Sequence, residues 1–263
     1  MIKIYSYKGS KMKIKMLIVA LLFSVNSLVY AGIHGNWGYS GDGNPAHWGD
    51  VKPEFFMCRD GKNQSPINIQ RDETILANGL EDIEFHYVTG ATEAVNNGHT
   101  IKVSVAPGSY IKVDGIEFEL KQFHFHSPSE NQINGKNFPL EAHFVHASKD
   151  GELAVVSVMY EQSKENKILK KICSKIFSNP HEKTTCSLNS KDINTLLPVN
   201  KGYYRFDGSL TTPPCSEGVR WLVLKDYSHV SAAQAKKFVN VMMKGRNNRP
   251  VQQLNARKVL KNQ

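Results

Sequence analysis

The chain has 263 residues, 40% apolar and 22% charged, with 33 Lys+Arg against 24 Asp+Glu for a formal charge of +9. That mix excludes a disordered chain, a collagen and a polytopic membrane protein. Five of the basic residues (Lys3, Lys8, Lys11, Lys13, Lys15) fall in residues 1–31 with no acid beside them, so 33 less five leaves 28 against 24, or +4, for the rest, and most support for a nucleic-acid binder goes with that segment.

Residues 1–31 read as a secretory signal peptide. Lysines come first, then an apolar run from Met16 to Val25, then small residues ending Val29-Tyr30-Ala31, with cleavage expected after Ala31. The apolar run falls short of the ~20 residues that span a bilayer. No Cys stands at the cut to carry a lipid, and Met12 is an alternative start. The expected mature protein is one exported domain over 32–263, periplasmic or secreted, without a membrane anchor. A chain of that length buries roughly 70–75% of its unfolded surface and needs no staples to hold a core.

Residues 32–66, rich in Gly, Pro, Trp and His, predict an irregular segment. From about residue 83 short branched and aromatic runs alternate with Gly, Asn and Pro, which predicts strands over Thr100–Val105, Tyr110–Val113, Ile116–His126, Glu141–Ala147, Leu153–Tyr160 and Arg220–Lys225. Ile168, Leu169, Ile172 and Ile176 form an apolar stripe at helical spacing within Ser163–Phe177. Ser231-Ala232-Ala233-Gln234 reads as a capping box opening a helix to about Met243. The fold class is a β-dominated α+β single domain with peripheral helices. Four cysteines (Cys58, Cys173, Cys186, Cys215) without a CxxC pair point to disulfides rather than a metal thiolate, and leave three pairings open.

His34, His86, His181 and His229 stand alone, whereas His124 and His126 lie two apart on one strand and so emerge on one face. The same parity, extended backwards, puts Gln122, Leu120 and Phe118 with them and turns Phe123 and Phe125 to the other side. In Glu141-Ala142-His143 the acid and the histidine also share a face. Both segments thus place a hydrogen-bonding group two residues before a histidine: Gln122 before His124 and Glu141 before His143. A metal-bound imidazole needs such a partner on its second nitrogen. If the strands are neighbours, His124, His126 and His143 form a three-nitrogen site with one tetrahedral position open, the pattern of catalytic zinc. His124-x-His126-xxx-Glu130 also resembles a first cupin motif, but Asn137 stands where that motif expects Gly, and the second motif is missing.

Gln122-Phe123-His124-Phe125-His126, Glu141-Ala142-His143-Phe144-Val145-His146 and Gly208-Ser209-Leu210-Thr211-Thr212-Pro213-Pro214-Cys215 resemble the α-class carbonic anhydrases, on the bacterial exported branch. So do Trp37-Gly38-Tyr39, Asn63-Gln64-Ser65-Pro66-Ile67-Asn68-Ile69, Asn97-Gly98-His99, Trp221 and Asn248-Arg249-Pro250-Val251-Gln252, in order along nearly the whole mature chain.

The resemblance implies a large twisted, mostly antiparallel sheet and zinc-dependent, reversible hydration of carbon dioxide to bicarbonate. It implies zinc on His124, His126 and His143, with Gln122 and Glu141 behind them. Thr211 resembles the family's gatekeeper hydroxyl and Glu130 the acid that accepts its proton. Thr212, Val145, Val155, Leu210, Val219 and Trp221 resemble the substrate site, and His99 the proton shuttle. A Cys58–Cys215 bridge resembles that of exported relatives, and Cys173–Cys186 would close a short loop. Anion and sulfonamide inhibitors, and a possible homodimer, are implied as well. The sequence departs from many relatives at Asn131, at Ser127 and at Lys102, three residues after His99. The competing classes are a catalytically inactive binding module of the same fold, which would lack one or more of the three histidines, and a zinc store, which would lack the apolar pocket.

Overall fold

The computed structural model describes residues 37–176, 183–241 and 245–263. The expected signal peptide and its cleavage point lie outside these residues. Strands dominate, with a few helices at the periphery. The central strands are Ile101–Val105 (β1), Ile116–His126 (β2), Leu140–Ala147 (β3), Leu153–Gln162 (β4), Tyr203–Ser209 (β5) and Glu217–Leu224 (β6). Every residue of β3 is buried, as are seven consecutive residues of β4. Continuous burial of this kind marks strands covered on both faces, and they occupy the middle of the sheet.

From one edge the order runs Lys183–Thr185, Ala91–Asn96, β1, β2, β3, β4, β6, β5, Leu260–Lys261 and Ile75–Leu76. Neighbours are antiparallel except β4 with β6 and, at the far edge, Leu260–Lys261 with Ile75–Leu76. The strand bounds predicted from sequence agree to within three residues. Among the strands of six or more residues, Ala91–Asn96 and β5 are additional, and several strands of two or three residues join them. The first is poor in strong strand formers and the second is punctuated by Asp207 and Gly208.

Two apolar layers form on the sheet. One gathers Phe123, Phe125 and Phe144 with Ile168, Leu169 and Ile172 of a helix over Lys167–Ile176 (α1) and Phe238 of a helix over Ala232–Val241 (α2). The other gathers Val145, Val155, Val219 and Trp221. Phe118 and Leu120 correct the parity argument. They belong to the first layer, with Phe123 and Phe125, because the β2–β3 register shifts between Leu120 and Gln122. One extra residue in a strand reverses the facing of everything before it.

The capping box forms as read. Ser231 Oγ accepts from Gln234 N and Gln234 Oε1 accepts from Ser231 N, each at 3.2 Å. Gln234 also exchanges bonds with the Asn166 backbone, tying the starts of α1 and α2 together. Residues 41–60 fold as a series of short helical turns around Trp48, which is fully buried and donates its indole N–H to Gly38 O and Gly43 O. Cys58 and Cys215 form a disulfide. The Cys173 side chain lies outside the described residues, and the Cys173–Cys186 pairing with it; Cys186 is buried.

Candidate metal centre and active site

The register of β1 to β4 builds the site. Lys102, His124, His143 and Ser157 pair in one row across the four strands, and His126 pairs with Glu141 two residues along. Residues directly opposite share a face. One nitrogen from each of His124, His126 and His143 therefore converges, the three lying within 4.8 Å of one another. His126 and His143 are buried, and His124 is half-buried.

Each ring is oriented by a partner on its other nitrogen. His124 Nδ1 lies 2.9 Å from Gln122 Oε1, and His126 Nδ1 lies 2.8 Å from the carbonyl oxygen of Asn247. Glu141 Oε1 stands 2.9 Å from His143 Nε2. Nε2 of the first two and Nδ1 of the third are left facing inward. His126 Nε2 is buried with no hydrogen-bond partner, and an orphaned imidazole nitrogen facing two others fits a metal. Burial and the neighbouring rings hold His124 well below its ordinary pKa, with a further push from Lys102, and burial brings His126 down to about 3. Both are neutral at pH 7, as ligation requires. Three imidazoles in this arrangement match zinc, which takes three protein nitrogens and keeps a fourth position open in catalytic sites.

Glu141 is anchored from four directions. It accepts from Glu130 N at 2.6 Å, Asn131 N at 3.0 Å, Asn131 Nδ2 at 2.8 Å and Ser157 Oγ at 2.6 Å. Burial would push its carboxyl up, but the His143 ring and these donors more than offset that and bring it down to about 2. The departure at position 131 therefore leaves no gap. Asn131 supports Glu141 with its amide while its Oδ1 accepts from Ile67 N at 3.1 Å.

Glu130 is fully buried, and Oε2 stands 3.4 Å from His126 Nε2. Its Oε1 accepts from Arg249 N at 2.9 Å, and burial pushes its carboxyl up to about 7 against His143, that amide and the Thr211 hydroxyl. Thr211 is buried on a loop fixed at several points. Leu210 N donates to Ser216 O, Cys215 N donates to Thr212 O, and the disulfide ties Cys215 to Cys58. Ser65 and Ser209 exchange N–H to hydroxyl bonds at 2.9 and 3.1 Å. Gly208 must be glycine here, since a Cβ would sit 2.2 Å from Ser65 Oγ and 2.8 Å from Trp221 Cδ1.

Beside the histidines, Val145, Val155, Val219 and Trp221 are buried together with partly buried Leu210 packed against them, and Trp221 meets the His143 ring edge-on at 4.9 Å. His99 is half-buried and stacks on Trp37 at 4.0 Å between centroids. Its backbone is held by Asn97 Oδ1 and by the side-chain amide of Asn247. Asn247 thus joins His99 to His126. Sequence reading missed it, because its contribution to the His126 ring is a backbone carbonyl. Ser157 was missed too, and its place opposite His143 in the register was the available signal.

A family model described as eukaryotic-type carbonic anhydrase matches residues 43–263. The chain is 44% identical to a carbonic anhydrase of Pectobacterium carotovorum over 93% of this chain and 98% of that protein. It is 46% identical to a carbonic anhydrase of Neisseria gonorrhoeae over 92% of this chain and 96% of that one. Among solved structures, the α-carbonic anhydrase of Thermovibrio ammonificans in complex with the inhibitor sulfanilamide is 50% identical, with a TM-score of 0.82 over 86% of this chain and 99% of that chain.

Proposed function

Since the chain belongs to the α-class carbonic anhydrase family, we propose that it interconverts carbon dioxide and bicarbonate at a zinc ion held by His124 Nε2, His126 Nε2 and His143 Nδ1. The observation that carries the proposal is the three converging imidazoles, each with its other nitrogen engaged, set against an apolar wall. Bound zinc supplies Lewis acidity that brings the pKa of water to about 7, a property for which carbonic anhydrase is itself the standard example.

The chain's own residues do the rest. Gln122, the Asn247 carbonyl and Glu141 fix the tautomers, so the ligating nitrogens carry lone pairs. Thr211 donates its hydroxyl proton to Glu130, which leaves the Thr211 oxygen to accept from the attacking water and turn that water's lone pair toward the substrate. Val145, Val155, Leu210, Val219 and Trp221 offer carbon dioxide a surface that binds water poorly, and half-buried Thr212, next to Thr211 in the chain, completes the substrate site. His99 takes the released proton outward, since an imidazole titrates in the range that the relay needs.

The sulfonamide complex of the Thermovibrio relative supports sulfonamide inhibition here as well. Export to the periplasm or beyond is supported by the disulfide and by the order of residues 1–31. His143→Ala is expected to lose zinc in a chelator competition and to lose carbon dioxide hydration with it. Full hydration by zinc-free His143→Ala protein would overturn the proposal.

A further inference from the structure

We propose that Lys102 is a specificity-determining residue of this site, recruiting anions, bicarbonate above all, while weakening the hold on the divalent metal. The inference rests on the function proposed above. Lys102 of β1 pairs directly with His124 of β2, so the two side chains leave the sheet on one face from Cβ atoms about 5 Å apart. It is half-buried. Among the described residues it makes no ion pair. The acid diagonal to it, Glu93 on the Ala91–Asn96 strand, is engaged by Lys183 at 3.3 Å. Val95 directly opposite and Gln122 diagonal to it carry no charge to offset it.

A partly desolvated, unneutralised ammonium beside a metal ligand acts on everything charged in the cavity. Carbon dioxide carries no net charge and gains nothing from it. Bicarbonate, and any inorganic anion competing for the same place, is drawn in. A divalent cation is repelled by the same charge. One group thus produces two effects of opposite sign, and both fade as salt screens the site. An enzyme cannot move the equilibrium between its substrates. The effect is therefore read in the binding of anions and of metal, not in the ratio of forward to reverse kcat/KM.

The test uses zinc-loaded wild type, Lys102→Gln and Lys102→Arg. It measures the nitrate inhibition constant for hydration at low ionic strength, and the zinc dissociation constant by chelator competition, which needs no activity. For Lys102→Gln the nitrate constant is expected to rise about 3–10-fold and the zinc constant to fall about 3–10-fold. Lys102→Arg should keep both near wild type. Failure of either constant to move in its stated direction overturns the proposal, and weakening of both together would mark a merely structural role. Should the wild type prove inactive, the proposed function fails. The zinc constant, with nitrate titrated against the visible spectrum of the cobalt-substituted protein, then still decides the role of Lys102.

Discussion

Replacing Glu141 by Gln keeps the size of the side chain and removes one acceptor oxygen, which makes the cost readable from the hydrogen bonds. If the new NH2 takes the place of Oε2, it faces Glu130 N and Asn131 N, and two buried backbone donors lose their acceptor. Each orphaned donor costs about 1–3 kcal/mol, so this orientation costs about 2–6 kcal/mol. In the opposite orientation the NH2 faces Ser157 Oγ, Asn131 Nδ2 and His143 Nε2. Ser157 can rotate to accept, and Asn131 remains the one clash, about 1–3 kcal/mol. The second orientation is preferred, and it strikes the metal. An amide N–H pointing at His143 Nε2 favours the tautomer with the proton on Nδ1, the nitrogen that should ligate. Zinc affinity should then fall about 10–100-fold, the range found when such partners are removed, carbonic anhydrases included, or about 1.4–2.8 kcal/mol. Chelator competition and thermal unfolding of the zinc-free and zinc-loaded forms separate the two costs. Zinc affinity within twofold of wild type would refute the tautomer argument.

Further expectations follow from other parts of the molecule. His146 is buried with Nε2 2.8 Å from the Tyr87 hydroxyl, and burial brings it down to about 3. Between that value and its unfolded pKa of about 6.5 only the unfolded chain binds the proton, so its contribution to stability is complete above 6.5 and lost as pH falls. At pH 5 the loss is about 2 kcal/mol relative to pH 7, and denaturant titrations of wild type and His146→Phe should differ in slope over that window; parallel curves would count against it. Converting both Cys58 and Cys215 to Ser opens a bridge separated by 157 residues and should cost about 5 kcal/mol in the chain-entropy model, measured by denaturant midpoint in oxidising buffer. His99→Ala should slow hydration in dilute buffer without changing zinc affinity, with partial recovery on adding imidazole. Equal rates across all buffer concentrations would return His99 to a turn residue.

The histidine cluster was legible because strand periodicity makes a two-residue spacing a statement about facing. His124 and His126, with Gln122 behind the first and Glu141 behind His143, needed only that rule and the adjacency of β2 and β3. Phe118 and Leu120 were misplaced by the same rule, since a bulge leaves no mark in the pattern of apolar and polar residues. The Asn247 carbonyl could not be read at all, because every residue carries one and only tertiary placement selects it. The support at Asn131 was hidden for a related reason. Its amide does two jobs at once, and both partners, Ile67 and Glu141, are distant in sequence or on another strand. The apolar wall was known only by resemblance, since Val145 and Val155 look like ordinary core residues until β3, β4 and β6 bring them beside His143 and Trp221.

The measurement that bears most directly on the proposed activity is stopped-flow carbon dioxide hydration by the purified protein. It is run as isolated, after zinc removal by a chelator, and after return of one equivalent of zinc. The expected result is hydration well above the buffer rate, its loss on zinc removal, and its recovery at a stoichiometry of one zinc per chain. Hydration that survives complete zinc removal, or a fully zinc-loaded protein that does not exceed the buffer rate, would contradict it.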